Sequence, residues 1–241
     1  MEEYLQPMMI GIMAYLYASV GHGGASGYLA LMALFGTSPA LMKSSALILN
    51  VFVSLIAFVQ FYRAGHFRWN LFWPFVIASI PMSFIGATLP ITDSLYKKLL
   101  ALALAIAIAR MLFQPLDKKG TKPVILWLCL VIGASIGLLS GMLGIGGGII
   151  LSPVILLLGW GRVKETAAVS ALFIFVNSLS GLSGLISKGF RPDTALLPWL
   201  GAALIGGFIG AYQGSFKFNL TTLRYILACV LLIAVAKLYF T

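Results

Sequence analysis

The sequence predicts an all-α polytopic membrane protein made of two homologous four-segment repeats. Three observations carry this. The 241 residues are 61% hydrophobic and only 9% charged, where a soluble domain carries about 25% charged residues. About eight apolar segments follow one another: roughly 7–36, 41–62, 70–90, 95–113, 124–158, 164–187, 194–213 and 221–240. The first and fifth of these are broken in the middle by glycine clusters 123 positions apart, Gly21-His22-Gly23-Gly24-Ala25-Ser26-Gly27 and Gly144-Ile145-Gly146-Gly147-Gly148.

The first segment is too long for one straight crossing of about 20 residues and too interrupted to be one helix. Each limb beside a glycine break has about 12–20 residues, roughly 18–30 Å as helix. The segment is therefore either a discontinuous crossing helix or a re-entrant hairpin, and Gly36 closes its second limb as a helix C-cap would. Segments 41–62, 70–90 and 95–113 each have the length of one crossing. The longest polar stretch follows, from about Gln114 to Pro123, so nothing is left over for a soluble domain. The fifth segment repeats the break, with Gly159 as its closing glycine and Pro153 acceptable in the first turn of its second limb. Three further segments complete the second half.

The halves align at an offset of 123 to 124. Gly21, Gly23 and Gly24 fall on Gly144, Gly146 and Gly147, Gly36 on Gly159, and Gly65 on Gly189. Phe72-Trp73-Pro74 falls on Leu196-Leu197-Pro198, and Phe84-Ile85-Gly86-Ala87 on the identical Phe208-Ile209-Gly210-Ala211. Apolar sequence produces chance likeness, but aligned Pro, Phe and Gly positions argue for duplication. The expected organisation is a first membrane repeat over 1–115, a cytoplasmic linker over 116–123 and a second membrane repeat over 124–241. The acidic start Met1-Glu2-Glu3 predicts no cleaved signal peptide.

The broken segments decide the relative orientation of the halves. If they cross, the repeats are parallel, and Lys plus Arg divide nine to seven between the two sides. If they are re-entrant, the repeats are inverted. Arg63, Arg68, Arg110, Lys118, Lys119, Lys122, Arg162, Lys164, Lys217 and Arg224 then share one side, ten against six. The positive-inside rule favours the second arrangement, and both arrangements leave the linker in the cytoplasm. The net charge of +10 is thus read as topology determinants and headgroup anchors in a cell (inner) membrane, with a positive potential that also gathers anions. The cations form no face for nucleic acid. Cys129 and Cys229 lie in apolar runs and read as packing residues, not as a disulfide or metal pair.

Helix-breaking glycines at membrane depth are tolerable only where protein or a wet cavity satisfies the loosened backbone. Two such breaks in matching positions point to a transporter site. Exposed N–H groups and the positive N-terminal ends of the second limbs, near Ala25-Ser26 and Ile149–Pro153, make an anion site without formal charge. The structural alternative is close helix packing through small residues. Gly21, Gly23, Gly24, Ser26, Gly144, Gly146, Gly147 and Gly148 are the expected backbone contributors. His22 is the one titratable side chain expected at the midplane, as a donor to an anion or a proton carrier. A neutral histidine bonded to a backbone carbonyl freed by the break is the plain alternative, and its counterpart Ile145 is apolar.

Segments two and six carry Ser44, Ser45, Asn50 and Ser54, and Ser170, Asn177, Ser178, Ser180 and Ser183. Such groups line a path or bond between helices; Ser45, Asn50, Ser170 and Asn177 are the candidates for lining it. Lys43 and Lys164 stand at segment starts, where interfacial anchoring is the expected role. All six acids, Glu2, Glu3, Asp93, Asp117, Glu165 and Asp193, lie in termini or loops. No carboxylate offers itself for coupling at depth. An anion exporter does not strictly need one, because an inside-negative potential expels a monovalent anion with about 2.3 kcal/mol per 100 mV.

With Gly141-Met142-Leu143-Gly144-Ile145-Gly146-Gly147-Gly148, the apolar limb after it with Pro153, the weaker copy around Gly21–Gly27, and Ser170-Ala171-Leu172 where Thr-Ser-Leu is frequent, the chain resembles the TauE/SafE (TSUP) sulfite exporter family. The resemblance covers essentially the whole chain. It implies transport of sulfite, sulfoacetate or another small organosulfur anion, usually outward. The first copy departs from the pattern with His22 and Ser26, which leaves the exact substrate open. The expected function is a secondary transporter, not an enzyme, that exports such an anion by alternating access. It has no cofactor and no metal, and its partners are the small anion and the lipid bilayer. Import of a related sulfonate, sulfate or small carboxylate is the second reading. A remote third rests on Gly24-Ala25-Ser26-Gly27 and Gly181-Leu182-Ser183-Gly184, which spell the GxSG of rhomboid intramembrane proteases. A serine nucleophile needs a base within reach, and only His22 and His66 exist. Oligomeric state is not legible.

Overall fold

The structure is a computed structural model that describes residues 2–113, 122–192 and 196–216. Among the described residues nine α-helices follow in order: α1 Glu2–Ser19, α2 Ala25–Leu34, α3 Pro39–Arg63, α4 Trp69–Thr88, α5 Asp93–Phe113, α6 Leu126–Leu143, α7 Gly148–Leu158, α8 Val163–Ser187 and α9 Leu197–Phe216. Helices α3, α4, α6 and α8 are long and apolar enough to cross a membrane, and α2 and α7 are shorter apolar helices beside the glycine breaks. Trp69, Ile77, Trp127, Ile205 and Phe208 stand exposed on the outer surface, where only lipid suits them. The described residues are all-helical, and the chain is a multi-pass membrane protein. The expected eighth segment at 221–240 and most of the linker lie outside the described residues.

Two boundaries differ from expectation. The first helix begins at Glu2 rather than near residue 7 and carries Pro7 within it, because hydropathy marks the apolar part of a helix and not its end. Helix α7 begins at Gly148, so Pro153 falls in its second turn instead of its first. Elsewhere local chemistry sets the ends. Pro39 opens α3 behind Ser38, where a missing N–H costs nothing. Glu165 caps α8 by accepting the Arg162 N–H at 3.0 Å. Gly159 ends α7 with φ +71°, its N–H and that of Trp160 returning to Leu156 and Ile155 carbonyls.

Two helix pairs are held by glycines seated on backbone. On α6, Gly133, Gly137 and Gly141 lie against the carbonyls of Phe75, Ser79 and Ser83 of α4. On α9, Gly206, Gly210 and Gly214 lie against the carbonyls of Gly11, Tyr15 and Ser19 of α1. A Cβ at any of these six positions would run into backbone. This is small-residue helix packing, which lets dispersion and weak C–H···O contacts act where no hydrophobic drive exists. The register increases along both members, so each pair runs parallel. Helices α3 and α8 run antiparallel, since Leu47 meets Gly181 while Phe61 clusters with Ala167 and Ala168.

These contacts sort the helix ends. At one end α3 starts, α4 finishes, α5 starts and α8 finishes around a cavity. The start of α1 and the end of α2 lie there too, beside Trp199 of α9. At the other end the Arg68 guanidinium meets Glu165 at 3.2 Å, the Lys122 N–H donates to Gly159 O at 2.7 Å, and Lys164 Nζ donates to Ser215 O at 3.2 Å. The α1–α2 pair therefore enters from and returns to the Lys43 end. The α6–α7 pair enters from and returns to the Glu165 end.

Candidate functional site

The two glycine breaks meet in the interior, on α3 and α8. A Cβ on Gly23 would stand 2.5 Å from Asn50 Oδ1, and one on Gly146 would stand 2.7 Å from Asn50 Nδ2. Ile174 of α8 touches Gly23, Gly146 and Gly148. Only a residue without a side chain fits at these points. Gly146 and Gly147 also hold φ of +70° and +78°, a conformation other residues rarely adopt.

Asn50 is fully buried, and among the described residues neither its Oδ1 nor its Nδ2 has a hydrogen-bond partner. Ser178 Oγ, near Gly146, and Ser140 Oγ, on the side chain near Gly147, are likewise buried without a partner. A buried polar group left unmade costs about 1–3 kcal/mol, so several gathered in one place make this the candidate site. Backbone donors join them. Among the described residues the N–H groups of Gly23, Gly24, Gly146, Gly147 and Gly148 make none of the backbone–backbone bonds of the turns. They stand just before or at the starts of α2 and α7, whose N-terminal ends are positive. Donors without charge, at two helix N-termini, are the chemistry of an anion cradle.

His22 sits beside this point. Its ring lies 3.0 Å from Val20 O through Nδ1 and 3.1 Å from Ser152 Oγ through Nε2. Val20 O is a carbonyl of the break itself. A carbonyl only accepts, so Nδ1 carries a proton. Ser152 Oγ also lies 2.9 Å from Gly148 O and 2.7 Å from Ser170 Oγ. One chain of polar groups thus runs from the first break, through His22 and Ser152, to the start of α7 and to α8.

The other expected site residues are placed as follows. Gly21 packs on Ala167, Gly24 faces the Tyr28 ring, and Gly144 abuts the Lys43 carbonyl. Ser26 is buried in the first turn of α2. Ser45 is buried with an unpartnered hydroxyl. Asn177 turns to α4 instead, donating to Ser79 Oγ at 3.0 Å and to Phe173 O at 2.8 Å, while Ser83 Oγ donates to its carbonyl at 2.8 Å. Its Nδ2 thus bonds between helices, the ordinary role of such residues in membranes, while its Oδ1 is buried without a partner among the described residues.

Lys43 also departs from the anchoring expected of it. It is buried, and its ammonium donates to Ala87 O at 3.0 Å. Sequence reasoning missed Ser152 and Ser140 and passed over Ser178. Ser152 carried a signal, as the one polar side chain in the apolar limb Gly148–Leu158. Ser140 lies between Gly137 and Gly141, where the packing motif hides it.

Outside the membrane-spanning helices, His66 lies in the loop between α3 and α4. Burial, and then the nearby Lys164, push its imidazole below the usual histidine value, with Glu165 opposing. It stands near the Arg68–Glu165 pair at the end of the bundle, remote from Ser26. The two ring nitrogens of His22 reach Val20 and Ser152. The serine that His22 reaches is Ser152, which belongs to neither Gly-x-Ser-Gly motif.

Residues 8–238 match the family described as "Sulfite exporter TauE/SafE". The chain is also 38% identical over 232 residues to the "Probable membrane transporter protein y4hK" of Sinorhizobium fredii (strain NBRC 101917 / NGR234), covering 94% of each protein. No solved structure matches. Paired glycine breaks in an all-helical membrane protein, a family match over nearly the whole chain and a relative named as a transporter agree on a membrane transporter rather than an enzyme, and the chain belongs to the TauE/SafE sulfite exporter family.

Proposed function

We propose that this transporter carries sulfite or another small organosulfur anion outward across the cell (inner) membrane, by alternating access. The observation that carries the reading is the Asn50 carboxamide, buried and unpartnered between Gly23 and Gly146. An oxyanion lodged there accepts from Asn50 Nδ2, from the Ser178 and Ser140 hydroxyls and from the glycine N–H groups. His22 serves as a side-chain donor or proton carrier through Ser152. Among the described residues no carboxylate is found against Asn50 or the glycine breaks to repel the ligand. The membrane potential supplies about 2.3 kcal/mol per 100 mV for expelling a monovalent anion. The family name supports sulfite as the first substrate to try.

We also read the chain as an inverted repeat, residues 1–115 and 124–241 about a cytoplasmic linker at 116–123. Three observations support this. The corresponding helices α3 and α8 are antiparallel. The α1–α2 and α6–α7 hairpins return to opposite ends. The tight helix pairs exchange partners between halves, α4 with α6 and α9 with α1. Such repeats around a midplane site are the general plan of secondary transporters. The lysine- and arginine-rich side then holds Arg63, Arg68, Arg162 and Lys164, so the Glu165 end faces the cytoplasm and the Lys43 end faces outward.

The test is flux in proteoliposomes with an imposed potential, against sulfite, thiosulfate, sulfoacetate and acetate. Movement of one or more sulfur anions, driven by an inside-negative potential, is expected. Movement of none overturns the proposal. The variant Gly147→Leu addresses the site itself: its side chain would meet Ile136 at 2.6 Å and Phe173 at 2.9 Å, and unaltered transport would remove the break from the mechanism.

A further inference from the structure

A cavity of about 540 Å³ opens at the Lys43 end, among the start of α3, the end of α4, the start of α5 and the end of α8. Lys43 and Ala87 lie in its wall together with Thr88, Asp93, Tyr96 and Lys188. Lys43 is only 8% exposed. Among the described residues the single ion pair is Arg68–Glu165, and none of them gives Lys43 a carboxylate partner. An ammonium has three donors, and one of them is engaged, on Ala87 O at 3.0 Å. A buried charge without a counter-charge is costly.

The same residue touches the second glycine break. A Cβ on Gly144 would stand 2.8 Å from the Lys43 carbonyl. Tyr96, also in the cavity wall, donates its hydroxyl to Leu143 O at 3.0 Å, the last carbonyl of α6. The vestibule and the break therefore share two residues. Lys188 adds a second cation at the exposed end of the wall, and Asp93 is the one acid among the described residues of the wall.

We propose that Lys43 forms a vestibular anion subsite, distinct from the Asn50 cradle, which holds a small sulfonate or other oxyanion at the outward end before release or after capture. The anion accepts from the ammonium's two spare donors and supplies the counter-charge that the described residues do not. The inference rests on the anion-transport reading for its purpose, but not for its measurement. A lysine that served only to cap the α4 C-terminus would bond Ala87 O and hold no ligand.

The experiment places a cysteine at Thr88, in a full-length chain with Cys129 and Cys229 replaced by alanine. Its reaction rates with an anionic sulfonatoethyl and a cationic trimethylammonium-ethyl methanethiosulfonate are compared, each normalised to a free thiol. The expected anionic preference is about tenfold, a modest case of field focusing in a charged cleft. Lys43→Arg keeps the preference, Lys43→Gln collapses it to near one, and Lys188→Gln lowers it by a smaller factor. Sulfoacetate slows the anionic reaction in the Lys43 background, a readout that needs no Lys43 variant to fold. An unchanged ratio in Lys43→Gln, an equal drop in Lys188→Gln, or absent protection by sulfoacetate overturns the subsite. Preference and protection without anion flux in proteoliposomes would sink the transport reading and leave the subsite standing. Flux with no Lys43-dependent preference would do the reverse.

Discussion

Gly23 and Gly146 face the two ends of one carboxamide: Asn50 Oδ1 lies against the first and Nδ2 against the second. The glycines belong to hairpins that return to opposite ends of the bundle, and both hairpins pack on the Asn50 side chain, as they do on Ile174. That position gives Asn50→Leu a double expectation. It removes two unpartnered buried atoms, each costing about 1–3 kcal/mol, so thermal stability in detergent holds or rises. Anion flux falls by roughly tenfold or more, the worth of about 1.4 kcal/mol at a binding step. Fluorescence-detected melting and proteoliposome flux read the two separately, and loss of both together would mean that Asn50 is a structural residue.

The polar chain from His22 to Ser170 predicts coupling rather than independent effects. Ser152 Oγ lies within hydrogen-bond distance of His22 Nε2 and Ser170 Oγ. His22→Gln and Ser152→Ala should each slow transport. The double variant should be less impaired than the sum, with a coupling of about 0.5–3 kcal/mol. Strict additivity in a double-mutant cycle would show that the ring and the hydroxyl act apart.

Glycine packing predicts where the chain tolerates bulk. Gly137 lies against the Ser79 backbone and Gly210 against the Tyr15 backbone, while nothing stands within 4 Å of a Cβ on Gly201. Gly137→Leu and Gly210→Leu should therefore lose monodispersity on gel filtration, since overpacking costs about 1–3 kcal/mol or more even where side chains give way. Gly201→Leu, in the same helix as Gly210, should elute as the native protein does.

Hairpins returning to opposite ends predict opposite labelling. Cysteines at Ser38 and at Arg162, both exposed, follow the second limb of each break. In intact cells a membrane-impermeant maleimide should reach Ser38→Cys from outside, and Arg162→Cys only after the membrane is opened. Labelling of both from one side would restore parallel halves.

His66 predicts a pH response outside the membrane. Burial and Lys164 favour its neutral form, so the unfolded chain takes up a proton first as pH falls. Stability then declines as pH drops below the usual imidazole value. Histidine-selective NMR should find a depressed titration for His66 that Lys164→Gln moves upward.

Much of this molecule was legible in its residues. The breaks at Gly21–Gly24 and Gly144–Gly147, the helices between them and the candidacy of Asn50 follow from glycine chemistry and from the rarity of polar groups in apolar runs. The family follows from the second glycine cluster. Partners in space were not legible. Asn177 and Asn50 occupy similar sequence settings, yet one bonds to Ser79 and the other faces the glycines, a choice made by helix rotation that periodicity alone leaves open. Lys43 has the look of a headgroup anchor because it is near a helix start. Only the approach of α4, with the Ala87 carbonyl, turns it inward.

The seating of glycine on carbonyl has a mechanical consequence. Contacts without clearance leave α4 with α6, and α9 with α1, no room to slide, so each pair moves as a single strut. Each strut joins a hairpin limb encoded in one half of the gene to a crossing helix encoded in the other. In the alternating-access reading proposed above, the two halves of the sequence are consequently not the two moving parts: they are laced together through these pairs.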